Sequence, residues 1–344
     1  QVDLTGDGAR LAPTLIRYLG QDYADLRGAG AIAGTLRVTG RTGLGTRGLI
    51  ANGGIDAGAW SGGGLSLSGV RLDLARAQPT DPQTVRFAAG VNGGTLALDA
   101  RLRPGLEQTP WQATIDAKRI DTSPLVVSQG LGRYLTYLFP TIVPVEASTN
   151  VLSGMLDASI ELAAIDIQGP QLAPSLSGKG QLAMAEGKIG DSTLFQIAQK
   201  GGGLGKVGQM IAAAVPEVRR ELEGLSRALT FHTMESRFDI AREILTIRHG
   251  LLEGDRVNIS FPGRVAFDQR MSLDVLLTLG GKAGERLGRV LPSKTIPLTA
   301  RGTLAKPVLT PNLKASDIRG GAIDGLLPGG GGNPVDRLRD LLGR

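Results

Sequence analysis

Cysteine is absent from all 344 residues. That excludes disulfides and thiolate metal sites. It names no compartment, because a cysteine-free chain suits an oxidising periplasm and a cytosol alike. Histidine is nearly absent as well, with only His232 and His249. Each sits in a strand-like run, where a hairpin would bring the two near each other, and neither has an H-x-x-H or H-E-x-x-H neighbour, which argues against a metal site. Aromatic residues make up 4% of the chain and are scattered, so the platforms that stack nucleic-acid bases are missing. The net charge of +6 comes from dispersed basic residues. It implies solubility and some affinity for anionic surfaces, and no nucleic-acid partner is expected.

No stretch approaches the roughly 18 uninterrupted apolar residues of a membrane-spanning helix. The chain opens at Gln1 without a basic n-region or an apolar h-region, which reads as a processed protein or an excised fragment whose membrane anchor lies outside it. There is no G-x-S-x-G elbow and no phosphate-binding G-x-x-x-x-G-K-[ST] loop. Gly201–Lys206 resembles the latter in passing but lacks the hydroxyl residue after the lysine. Carboxylates such as Asp239 and Asp255 read as solvated, and nothing pairs a positioned acid with a base. The expectation is a non-enzymatic chain with no catalytic residues, no metal and no cofactor.

Glycine, by contrast, is abundant, with 51 residues and no G-X-Y period, which signals many tight turns. Between them, apolar and polar residues alternate at period two, the pattern of a sheet with one apolar face. Strands are expected at Gly34–Gly40, Gly45–Asp56, Gly64–Leu74, Gly94–Leu102, Trp111–Ala117, Gly154–Leu162, Leu176–Met184, Leu229–Ile240, Ile244–His249, Arg256–Phe261 and Met271–Leu279. Gly69 marks a bulge within its strand, while Asn52-Gly53-Gly54 and Asn92-Gly93-Gly94 read as turns. Turn signals about every 8–15 residues define an all-β meander, sandwich, barrel or elongated groove.

Helical spacing interrupts this pattern in a few places. Ser123–Phe139 carries Pro124 at its start and Pro140 after its end. Further helices are expected at Asp191–Lys200, at Leu204–Ala214 and from Pro216, the last with Val218, Leu222, Leu225 and Leu229 on one side. Together they form a small helical insert over 191–229. At the C-terminus a glycine tether, Gly329–Gly332, precedes a short amphipathic helix bearing Val335, Leu338, Leu341 and Leu342. Packing back onto the sheet is one fate for that helix, and capture of an outer-membrane protein is another.

From Gly154 onward the order of segments is more specific. GMLDASIEL is followed by PSLSGKG, then QLAMAEGKIGDSTLFQIAQ and a helical stretch. TFHTMESRFDI (230–240) leads into EILTIRHGLLEGDRVNISFPGRVAFDQRMSLDVLLTL, and IPLTARGTLAKPVLTPNL (296–313) closes the series. Over about Trp111–Leu313 this order resembles the C-terminal domain of the AsmA-like family, related to the bridge-like lipid transfer proteins, and KRIDTSPLV (118–126) resembles that family's strand-to-helix connector. Gly263–Phe267 departs from it where the family often has a glycine-containing turn. The resemblance implies a long twisted antiparallel sheet curled into a U-shaped groove with an apolar interior. It implies a periplasmic protein of a Gram-negative bacterium, anchored at the inner membrane, extending toward the outer membrane and contributing to outer-membrane homeostasis.

On this reading residues 1–110 form the N-terminal part of the groove, 111–318 the family-like region, and 319–344 the tether and terminal helix. The candidate groove-lining side chains are Leu245, Ile247, Val257, Ile259, Phe261, Leu273, Val275, Leu277 and Leu279. They are aliphatic or aromatic without polar anchors, which suits the acyl chains of phospholipid. The competing expectation is an assembly factor for outer-membrane proteins that acts through a sheet edge or the terminal helix.

Overall fold

The computed structural model describes residues 2–7, 27–39, 50–62, 64–103, 108–125, 132–143, 152–167, 169–190 and 228–313. Strands dominate: β1 (Val2–Asp7), β2 (Arg27–Thr39), β3 (Ile50–Gly62), β4 (Leu65–Ala75), β5 (Gln83–Val91), β6 (Gly94–Leu102), β7 (Trp111–Asp121), β8 (Leu152–Ala164), β9 (Ser177–Gly190), β10 (Ala228–Ala241), β11 (Ile244–Glu253), β12 (Val257–Ser260), β13 (Gly263–Ala266), β14 (Arg270–Leu279), β15 (Thr295–Thr303) and β16 (Pro307–Pro311). Three short helices are described: α1 (Gly132–Leu138), α2 (Leu172–Ser175) and α3 (Gly281–Val290). The strands form one antiparallel sheet in chain order, with β13 set aside against β11 and β14. Sequence neighbours pair along the sheet, across short turns such as Asn92-Gly93 and also across long connections such as that from β7 to β8, and the fold is mainly β as the alternation requires.

The chain divides into two compact units. The first comprises 1–133, 148–184 and 237–245, and the second 134–147, 185–236 and 246–344. The division expected at 110/111 falls inside the first unit, because Leu102 of β6 pairs with Trp111 of β7 in an unbroken ladder.

In the first unit the ladder is interrupted by register shifts in β2 (Ala29/Ile32), β4 (Ser68/Arg71) and β7 (Ala117/Ile120). Each contains a residue at positive φ: Gly30 at 89°, Gly69 at 55° and Arg119 at 52°. Following the cross-strand partners places all three shifts on one line across the sheet. A bulge bends its strand and increases the local twist, so the line is a crease. Beyond it, Leu65, Leu67, Val91, Ile120 and Leu156 join Ala89 and Ala117 in a small cluster.

The second unit has a closed core. Leu135, Leu138, Phe139, Ile142 and Val143, in and after α1, are all buried. Phe139 meets Phe261 edge-on with ring centroids 6.3 Å apart, and the Tyr137 hydroxyl donates to the Phe267 carbonyl at 3.3 Å. Helix α3 packs on β14 and buries Ala283, Leu287 and Leu291.

At the end of the sheet, Thr303 and Lys306 exchange backbone bonds, and the Asn312 N–H reaches the Pro297 carbonyl at 2.9 Å. Bonded pairs therefore alternate along β15–β16, which turns the nitrogens of Pro307, Leu309 and Pro311 toward the outer edge. Two of those three nitrogens carry no hydrogen.

Several local expectations change. Asn92-Gly93 is the two-residue hairpin turn expected, with φ of 45° and 81°. Asn52-Gly53-Gly54 instead lies inside β3. The Asn52 side chain bonds both backbone groups of Arg76, just past the end of β4, and a Cβ on Gly53 would sit 1.8 Å from the Thr35 oxygen. Of the expected Ser123–Phe139 helix, Gly132–Leu138 forms α1 and residues 126–131 lie outside the described residues, while Ser123 and Pro124 lie in a turn where Asp121 takes the Ser123 N–H and hydroxyl at 2.9 and 2.6 Å. Leu229, expected to finish the fourth helix, lies in β10 and is fully buried. The rest of the 191–229 insert, the Gly201–Lys206 loop and the 319–344 tail lie outside the described residues.

Candidate functional site

Cross-strand register sorts the apolar side chains of the first unit into rows that run across the strands. One row is Gly34, Ile55, Leu72, Phe87, Leu98, Ile115 and Ile160, one residue from each of β2 to β8. The Phe238 ring continues it over Gly180, beside the Ile160 side chain. A second row, two residues along, is Leu36, Gly53, Leu74, Val85, Ala100, Ala113 and Leu162. Six inter-strand steps of about 4.8 Å give the first row a length of about 29 Å.

These rows are not sealed. Ile55, Leu72, Phe87, Leu98, Ile115 and Ile160 are all half-buried, and so are Leu36, Leu74, Val85 and Leu162. A contiguous apolar band left partly in water is unusual for a protein surface and makes this face the candidate site.

The opposite face is charged, and its residues satisfy one another. Arg86 meets Asp99 at 3.1 Å, Arg71 meets Asp73 at 2.9 Å, and Lys179 meets Glu161 at 3.2 Å, all well exposed. A shallow depression there is lined by Asp99, Arg101, Gln112, Glu161, Lys179 and Asp239. Solvated ion pairs of this kind contribute little to stability and supply no activated acid or base.

The nine side chains singled out from sequence lie elsewhere and in different surroundings. Val257 pairs with Leu279, Ile259 with Leu277, and Leu252 with Ile259, while Leu273, Val275 and Leu277 continue into Ala300, Leu298 and Ile296 on β15. The structure thus brings Val257, Ile259, Leu273, Val275, Leu277 and Leu279 onto one face. Phe261 follows β12 and meets Phe139. Leu245 and Ile247 precede Arg248 and His249, two consecutive exposed residues at which the alternation of β11 shifts by one. All nine are at most 5% exposed. They belong to sealed cores, and the half-exposed apolar rows are those of β2–β8. Alternation in GLSLSGVRLDL and GTLALDARL had marked that face as apolar, but alternation does not say whether a face is covered.

The two histidines are not brought together in a site. His232 Nε2 lies 2.9 Å from Asp255 Oδ1, and Nδ1 lies 3.8 Å from Glu186 Oε1. The hydrogen bond to Asp255, then its charge, raise the imidazole above its ordinary value, with Glu186 adding to the effect. The pair therefore adds stability below the unfolded-state pKa and loses it as pH rises through the folded value. Among the described residues no group of three or more His, Asp or Glu is arranged to hold a metal ion, and no helix is long and apolar enough to cross a membrane. Comparison of the chain with protein-family models, curated proteins and solved structures finds no match.

Proposed function

We propose that the chain is a non-catalytic lipid-binding scaffold of the periplasm, whose first unit holds phospholipid acyl chains along the apolar rows of β2–β8. The observation that carries the reading is the row Ile55–Leu72–Phe87–Leu98–Ile115–Ile160, continuous across the sheet and half-exposed throughout. Its five inter-strand steps of about 4.8 Å give about 24 Å, longer than the roughly 15 Å of hydrocarbon in one bilayer leaflet. Each methylene laid on it gains about 0.8 kcal/mol, and no directional polar anchor is needed. The ordered resemblance to the AsmA-like family supports the same reading, with the chain working between inner and outer membranes and contributing to outer-membrane homeostasis.

The test is mass spectrometry of lipid retained by the full chain after mild purification, comparing wild type with Leu98→Asp. Wild type carries phospholipid in at least stoichiometric amount, and the variant, still folded by circular dichroism, loses most of it. Equal lipid in both proteins overturns the proposal. The reading as an assembly factor acting through a sheet edge draws less support at β16, where Leu309 alone presents an N–H outward.

A further inference from the structure

The apolar rows run out at one end of the first unit, where β2, β4, β6 and β8 finish and β3, β5 and β7 begin. The last of the cross-strand partners there are Leu102, Trp111 and Ala164. Beyond them the chain does not turn its apolar residues inward. Ile165 is 39% exposed and Ile167 48% exposed. Val38, at the same end of β2, is 47% exposed.

The two isoleucines are held in that position by hydrogen bonds. The Trp111 indole N–H donates to the Asp166 carbonyl at 2.7 Å. The Ile165 N–H donates to the Ser175 hydroxyl at 3.2 Å, and the Ile167 N–H to the Asp166 carboxylate at 2.8 Å. Helix α2 closes the connection through the Ser175 N–H to the Gln171 carbonyl. A loop free to relax would bury a pair of isoleucines, whereas this one is braced so that they remain outside. A half-buried tryptophan with its N–H satisfied, beside exposed aliphatics, is the arrangement found at a membrane–water boundary.

Charge points the same way. The described strand ends here carry the exposed Arg37, Arg101 and Arg103. Asp166 and Asp81 stand at the same end, their carboxylates accepting the Ile167 and Gln78 N–H, and the arginines outnumber them. Exposed arginines around an apolar tip complement anionic headgroups.

We propose that this rim, built on Trp111, Ile165 and Ile167, docks on a phospholipid bilayer containing anionic lipid. It flanks the apolar rows along the strand ends, so docking sets that side of the apolar face against the source or the destination of a lipid. The inference extends the lipid-binding reading, but vesicle docking and lipid retention are separate quantities and fail separately.

The experiment is flotation of the full chain with vesicles of phosphatidylcholine and phosphatidylglycerol, and with phosphatidylcholine alone. Wild type floats with the mixed vesicles and less with the neutral ones. Ile165→Ser combined with Ile167→Ser changes only exposed side chains and keeps the fold, which circular dichroism checks. It lowers the vesicle-bound fraction by at least about tenfold while retained lipid stays at the wild-type level. Leu98→Asp does the reverse, losing lipid and floating as wild type does. Flotation of the double serine variant equal to wild type, failure of wild type to float, or loss of flotation in Leu98→Asp each overturns the docking surface.

Discussion

Leu98 and Leu277 carry the same side chain at the same kind of position, an inward-facing place in an alternating strand. Their surroundings differ. Leu98 sits half-exposed between Phe87 and Ile115, whereas Leu277 is 2% exposed between Ile259 and Ile296. Shortening a sealed leucine loses its transfer free energy and leaves a cavity, whereas a half-exposed one can be replaced by water. Leu277→Ala is therefore expected to cost about 2–5 kcal/mol in urea unfolding, and Leu98→Ala markedly less. An equal cost at both sites would mean that the face around Leu98 is covered in solution. The nine residues read from sequence as groove-lining fall on the sealed side of this distinction. What seals Phe261 is Phe139, more than a hundred residues away in the chain, and no local pattern announces that partner.

Single strands were the most legible level. Period-two alternation locates most of them, and Gly69 announces its own bulge. Alternation did not reveal that the bulges of β2, β4 and β7 share a line, which emerges only once cross-strand partners are known. Helix α3 was hidden by Gly281, Gly284 and Gly288, poor helix formers, although Ala283, Leu287 and Leu291 keep a four-residue spacing. Asn52-Gly53 and Asn92-Gly93 are the same dipeptide with different outcomes, although both asparagine side chains bond distant backbone, the first at Arg76 and the second at Gly64, Ser66 and Asp121. The bulge itself can be tested at Gly69, where an added Cβ would touch nothing within 4 Å and only the backbone conformation is at stake. Gly69→Val is expected to cost about 1–2 kcal/mol from the left-handed backbone alone. No loss in urea unfolding would mean that the bulge moves or flattens.

On the scale of the whole molecule, the sheet closes its C-terminal edge with proline. Of the three nitrogens that β16 turns outward, those of Pro307 and Pro311 cannot donate. Replacing Pro307 with Ser and Pro311 with Thr restores both donors and leaves the inward bonds to β15 untouched. Light scattering behind size exclusion is expected to show larger species for the double variant at concentrations where wild type is unchanged. Identical elution would mean that something else guards that edge. The rows of the first unit have a further consequence. A molecule lying along them touches Ile55, Leu72, Phe87, Leu98, Ile115 and Ile160, residues spread over more than a hundred positions of chain, and so acts as a splint across strands joined only edge to edge. If lipid binds there as proposed, its removal loosens them together, and the sheet is least protected in the interval between one bound lipid and the next.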